Sequence, residues 1–221
     1  MTVLRFPAPR RICAVLAIGV AGILSGLTAP AALAQSAPAV ATPEQTAAAS
    51  AFLQKLADDV FVILRDRALS EAEKDRQLRA LLVENVAVKP LGDRMIRRHR
   101  AGISASQYQA YTAAFPDFVV GTYGDRLRSY AGAEFKVVRA VPRGARGDVD
   151  VIARVSERTG QPFESIWTVA RDGQGRWRLL NLTVAGVNLA LTQEADFSAY
   201  IERNGFDALV RFMRERGAKT G

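Results

Sequence analysis

The 221-residue chain has one cysteine and one histidine, so it lacks most of the side chains from which thiol enzymes and soft-metal centres are built. Cys13 stands near the N-terminus, inside a segment that reads as a removable signal. The exported chain then has no thiol, which excludes disulfides, zinc–thiolate sites and cysteine nucleophiles. His99 lies in the run RMIRRHR at 94–100, where neighbouring positive charge opposes its protonation. A single histidine so placed is a poor triad base and cannot form a histidine-based metal site. Asp58 and Asp59 are adjacent on a helical pattern and point in different directions, which does not suit shared acid–base work. Gly173 and Gly175 lack the following helix that a phosphate-cradling loop needs. No metal, cofactor or catalytic residue is therefore assigned.

Long apolar runs are also scarce. Ile12 to Leu27 is uncharged but spans only about 16 residues, short of the roughly 20 that cross a bilayer. Arg5, Arg10 and Arg11 precede it and Ala32-Leu33-Ala34 follows, the layout of a secretory signal peptide over 1–34 with cleavage after Ala34. The Arg10-Arg11 pair leaves Sec and twin-arginine export both open. Removing those three arginines leaves about +5 of the formal +8, a mild basicity. Export and the absence of any nucleic-acid motif argue against DNA or RNA as the partner. An anionic lipid surface or an acidic protein fits better. About 187 residues remain, enough for one domain with a proper core: a flexible lead at 35–41, then a single domain at 42–217.

Thr42-Pro43-Glu44-Gln45 caps a first helix whose apolar stripe is Phe52, Leu53, Leu56, Val60, Ile63 and Leu64. Ser70 to Glu73 repeats the capping-box pattern before Leu78, Leu81 and Leu82. Pro90 is expected to interrupt, followed by a short basic helix with Leu91, Met95 and Ile96 inward and Arg94, Arg97, Arg98, His99 and Arg100 outward. Ser104 to Gln107 is a third capping box and opens a long stripe of Tyr108, Tyr111, Phe115, Phe118, Val119, Tyr123, Leu127 and Tyr130. Pro116 predicts a kink or break about one turn earlier in it. Such a stripe marks burial; it does not by itself mark a ligand.

From Ala133 the period changes to two. Glu134 to Val141 and Asp148 to Val155 read as strands, with Val149, Val151, Ala153 and Val155 on one face. The stretch from Phe163 to Leu191 reads as a long hairpin turning at Asp172-Gly173-Gln174-Gly175, with Phe163, Ser165, Trp167 and Val169 on one face. Two closing helices carry Phe197, Tyr200 and Ile201, then Leu209, Val210 and Met213, with Asn204-Gly205 between them. Helices, four strands in a mainly antiparallel sheet, then helices make an α+β layout.

What the chain has in quantity is apolar surface on a sheet with no second sheet to cover it. Carrying a two-tailed lipid through water exposes about 30 methylenes at roughly 0.8 kcal/mol each, so a carrier must bury most of them in a dry cavity. Carriage needs no catalytic group. Two other classes stay open: an isomerase- or dehydratase-type enzyme, which would need a buried acid of raised pKa in its cavity, and an interaction module with a filled core.

TAAFPDFVVGTYGDRLRSYAG at 112–132, the segment from Trp177 to Leu191 and DFSAYIERNGFDALVRFMRERG at 196–217 resemble the MlaC-type periplasmic phospholipid-binding proteins, also called the toluene-tolerance family. The sharpest matches are Phe115, Thr122, Tyr123, Leu127 and Tyr130, then Gly186-Val187 with Leu189, then Phe197, Gly205 and Leu209. Asn181, Asn188 and Gln193 or Glu194 stand where the family typically has aspartate, serine and arginine, which suggests a divergent member of the hopanoid-associated branch. The resemblance implies an NTF2-like α+β fold enclosing acyl chains. It also implies a periplasmic shuttle of phospholipid between an outer-membrane lipoprotein complex and an inner-membrane ABC transporter with an MCE-domain subunit. On that basis Phe118, Tyr123, Leu127, Val151, Trp167 and Val169 are the candidate acyl contacts. Arg97, Arg98 and Arg100 are candidates for a headgroup or for docking a partner.

Overall fold

The computed structural model describes residues 40–157 and 160–218, the side chain of Asp125 excepted. The expected signal peptide and its cleavage site lie outside the described residues, as does most of the lead.

Helix α1, Pro43–Arg65, begins as its sequence predicts. The Gln45 N–H donates to Thr42 Oγ1 at 3.3 Å, and the Thr42 N–H donates to Gln45 Oε1 at 2.8 Å. Helix α2, Glu71–Asn85, has only half of the expected box. The Glu73 N–H donates to Ser70 Oγ at 3.2 Å, while the Glu73 carboxylate turns to Arg76 and Gln77. Helix α3, Val88–Met95, contains Pro90 instead of starting after it. In the first turn a missing N–H breaks no helical bond, so the proline is tolerated there. The arginines at 97, 98 and 100 lie beyond this helix, in a turn and a 3-10 segment at Arg100–Gly102, and not on its outer face.

Helix α4, Ala105–Ser129, runs unbroken through Pro116, so of the kink or break expected about one turn before it, the break does not occur. Its packing against three other helices supplies what the lost hydrogen bond removes. Tyr111, Ala114, Phe115 and Phe118 are buried among Met95, Phe197, Phe206 and Met213. The Tyr111 hydroxyl is fully buried and donates to the Gly92 carbonyl at 2.9 Å, and burial raises its pKa.

The sheet has five strands in the order β1-β2-β3-β4-β5, all antiparallel, where four were expected. They are β1, Glu134–Arg143; β2, Asp148–Ser156; β3, Phe163–Arg171; β4, Trp177–Val184; and the two-residue β5, Val187–Asn188. The β3–β4 turn is held by Asp172, whose Oδ1 accepts from the Gln174 and Arg176 N–H groups, each at 2.9 Å. Those backbone donors, helped by the Arg178 and Arg176 side chains, hold its carboxyl down at about 2. The long second hairpin arm read from the sequence ends at Val184. Ala185 and Gly186 both have positive φ, +47° and +81°, and turn the chain back into β5. Asn188 then caps helix α5, Leu189–Asn204, its Oδ1 accepting from the Leu191 N–H at 3.0 Å. Gly205 joins this to helix α6, Phe206–Ala218.

The left-handed position at Ala185 costs an L-residue roughly 1 kcal/mol that glycine does not pay. Ala185→Gly is expected to gain about 0.5 kcal/mol after the entropy of the unfolded glycine is counted. Urea unfolding of the purified protein checks this, and a loss of stability would show that the methyl group makes a packing contact worth more than the strain.

Candidate functional site: an apolar cavity between three cores

A filled domain of this size usually has one contiguous core. Here the buried side chains fall into three clusters. One joins α3, α4, α5 and α6 around Tyr111 and Phe197. A second places Ala41, Ala49 and Leu53 on Val149, Val151 and Val169 of the sheet. A third gathers Ile63, Leu64 and Leu78 where α1 meets α2. Between them lies a cavity of about 360 Å³, within the range that small-molecule sites occupy.

Helices and sheet wall it together. Helix α1 contributes Leu56, Val60 and Phe61, and α2 contributes Leu78, Leu81 and Leu82. From α4 come Phe118, Val119, Tyr123 and Leu127, and from the sheet Phe135, Trp167, Leu180 and Leu182. The sheet presents one face to this space, because alternation puts Val155, Ser165 and Trp167 on the side that α1 and α2 cover. The opposite face meets solvent, with Val138 and Ile166 exposed. The expectation that the sheet's apolar surface needs a cover therefore holds for one face.

The few polar groups in the wall are tied down. Tyr123 donates to Gln193 Oε1 at 3.1 Å, bridging α4 and α5, and burial with the nearby Asp196 raises its pKa, keeping it neutral. The Trp167 indole N–H donates to Ser165 Oγ at 2.9 Å, and its ring meets Phe135 edge-on at 5.8 Å. Asn181 Oδ1 is buried on the wall without a hydrogen-bond partner, and so is Thr122 Oγ1 in a neighbouring cleft. That cleft, of about 350 Å³, lies between α4, α5 and α6 and shares Phe118 and Gln193 with the cavity.

Among the described residues that line the cavity there is no aspartate or glutamate. Elsewhere, the buried acids are matched by arginines: Asp75 by Arg128, and Glu194 by Arg97 at 3.2 Å and Arg94 at 3.4 Å. His99 is shared with α5, its Nε2 lying 2.8 Å from Ser198 Oγ.

The MlaC family profile, described as MlaC protein, matches residues 54–215. The chain belongs to the MlaC family. A phospholipid-binding protein from Ralstonia solanacearum, solved in complex with a phospholipid, superposes with a TM-score of 0.61 at 23% identity. The match covers 78% of this chain and 98% of that one, so the two share a fold.

In this MlaC-family chain four of the six sequence-derived acyl candidates, Phe118, Tyr123, Leu127 and Trp167, line the cavity. Val151 and Val169 are fully buried one layer away, packed under α1 with Leu53. The sheet face was readable from alternation, but where α1 would press onto it was not. Arg97, Arg98 and Arg100 do not line the cavity. Arg97 pairs with Glu194, and the Arg100 guanidinium stacks 4.0 Å over the Tyr108 ring. The wall residues of α2 and Arg126 of α4 were missed. Leu78, Leu81 and Leu82 have the same spacing as any core stripe, and Arg126 has no local signal that separates it from Arg128.

Proposed function

We propose that this MlaC-family protein is a periplasmic phospholipid carrier that holds acyl chains in the cavity between its helices and sheet. The observation that carries the reading is the cavity itself, some 360 Å³ of space walled by side chains such as Leu56, Leu82, Phe118 and Trp167. Water gains nothing from such walls, whereas each methylene moved into them gains about 0.8 kcal/mol. The phospholipid bound by the Ralstonia solanacearum protein of the same fold supports the choice of ligand. A wall without described acids favours a binding role over acid–base chemistry, and a cavity of this size favours a carrier over a solid interaction module.

In this reading the partners are an outer-membrane lipoprotein complex at one end of the route and an inner-membrane MCE-domain ABC transporter at the other. Val151 and Val169 back the sheet wall. Arg97, Arg98 and Arg100, set away from the cavity, suit an acidic docking surface on a partner better than the headgroup. Incubation of lipid-stripped protein with phosphatidylglycerol vesicles, followed by separation and phosphate analysis, tests the carrier role. The protein is expected to leave carrying phospholipid and to give it up to the reconstituted transporter. Protein that leaves empty contradicts the reading.

A further inference from the structure

Helix α4 ends with two arginines a little over half a turn apart, and their surroundings differ. Arg128 Nε lies 3.3 Å from Glu71, and its Nη1 is bonded to the buried Asp75, so its charge is matched by two carboxylates of α2. Arg126 is exposed and lines the cavity, the one charged side chain among the described residues that do so. No described carboxylate pairs with it. Its Nη2 donates to the Tyr130 hydroxyl at 3.3 Å, and its guanidinium stands 5.9 Å from that ring's centre. Leu127, the next residue, is 37% exposed and also lines the cavity, which places the opening here. The Tyr130 ring in turn leans on Phe163 at 6.1 Å, on the sheet side of the same opening.

A positive charge in the last turn of a helix is favourable for its dipole, and Arg128 already meets that need. Arg126 adds something Arg128 does not, a guanidinium beside an apolar entrance that no described carboxylate neutralises. A guanidinium offers parallel N–H donors matched to two oxygens of a phosphate, and such charge-assisted pairs are about twice as strong as neutral ones. We propose that Arg126 binds the phosphate of the carried amphiphile while its acyl chains pass Leu127 into the cavity. The proposal rests on the carrier reading above and extends it: the protein selects anionic phosphate-bearing lipids over neutral lipids with the same tails.

Lipid-stripped wild-type, Arg126→Gln and Arg126→Lys proteins are loaded from detergent with phosphatidylglycerol or with diacylglycerol of identical chains, and bound lipid is quantified. The wild type is expected to retain phosphatidylglycerol at least tenfold better than diacylglycerol. In Arg126→Gln the phosphatidylglycerol value should fall to that of diacylglycerol, which stays unchanged, and Arg126→Lys should lie between. Millimolar inorganic phosphate should displace neither lipid. A preference that survives in Arg126→Gln, or no preference in the wild type, overturns the proposal while leaving the carrier reading intact. Displacement by inorganic phosphate overturns the lipid headgroup as the source of the anion. Wild type that retains neither lipid defeats the carrier reading and this one together.

Discussion

Gly121→Ala is expected to cost about 3 kcal/mol of folding stability, near the upper end of what overpacking usually costs. A methyl group on Gly121 would lie 2.3 Å from the Arg216 carbonyl oxygen and 2.9 Å from its carbon. The obstacle is main chain, which no rotamer change can move aside. The contact is reciprocal, since a methyl on Gly217 would meet Asp117 Cβ at 2.9 Å. Helices α4 and α6 thus touch backbone to backbone at this pair of glycines, and a substitution on either forces them apart. The loss corresponds to a melting temperature lower by about 6–12 °C for a chain of this length. Gly132→Ala is the control, because nothing lies within 4 Å of its added methyl. It should shift stability by no more than about 0.5 kcal/mol. Equal melting temperatures for the two variants would mean that α4 and α6 can separate at no cost.

Leu127→Glu is expected to reduce bound phospholipid at least tenfold with little loss of fold. Leu127 is more than one-third exposed, so its carboxylate replacement keeps access to water in the empty protein. A negative charge in the last turn of α4 opposes the helix dipole by about 0.5 kcal/mol, a small penalty. Loading a lipid is another matter. An acyl chain across the opening would strip water from the carboxylate, and a nearby phosphate would repel it. A tenfold loss needs only about 1.4 kcal/mol of that combined penalty. Leu127→Met, which keeps the apolar contact, should load normally. Unchanged lipid content in Leu127→Glu would place the entrance elsewhere on the cavity. The same charge at Val151 would be uninformative about lipid, because that side chain is fully buried and the fold itself would fail.

Local chemistry was legible in this chain wherever a few neighbouring residues decide the outcome. The reciprocal boxes of Thr42 with Gln45 and Ser104 with Gln107 formed as read, and the Asp172 turn closed where its glycines sit. The α+β class followed from the change of period at Ala133. Errors arose where distant packing decides. Pro116 would break an isolated helix, yet α4 carries it because Phe115 and Phe118 are locked against α5 and α6. The run at Val184 to Leu191 looked like one strand by composition. Ala185 takes a conformation that sequence alone assigns to glycine or asparagine, and so the β5 turn went unread.

The cavity shows the same division. Helical spacing marks Leu78, Leu81 and Leu82 as facing inward, but it does not say whether that interior is filled. Emptiness arises from how α1, α2 and the sheet are held apart. Arg65 bonds the Ala131 and Ala133 carbonyls, each at 2.8 Å, and so ties the end of α1 to the corner between α4 and β1. The Ala87 N–H bonds the Leu179 carbonyl at 2.9 Å, which stitches the α2–α3 junction to β4. These are contacts between residues dozens of positions apart, and no local pattern announces them. Arg126 became distinguishable from Arg128 only once the acids of α2 were placed beside one and not the other.

The most direct test is mass spectrometry of the protein purified from the cells that make it, first intact under native conditions and then after organic extraction. A hydrocarbon-filled hollow predicts an intact mass above that of the chain by one or more phospholipids, recovered in the extract and missing from Leu127→Glu. A native mass equal to that of the bare polypeptide, with no lipid in the extract, would contradict the account.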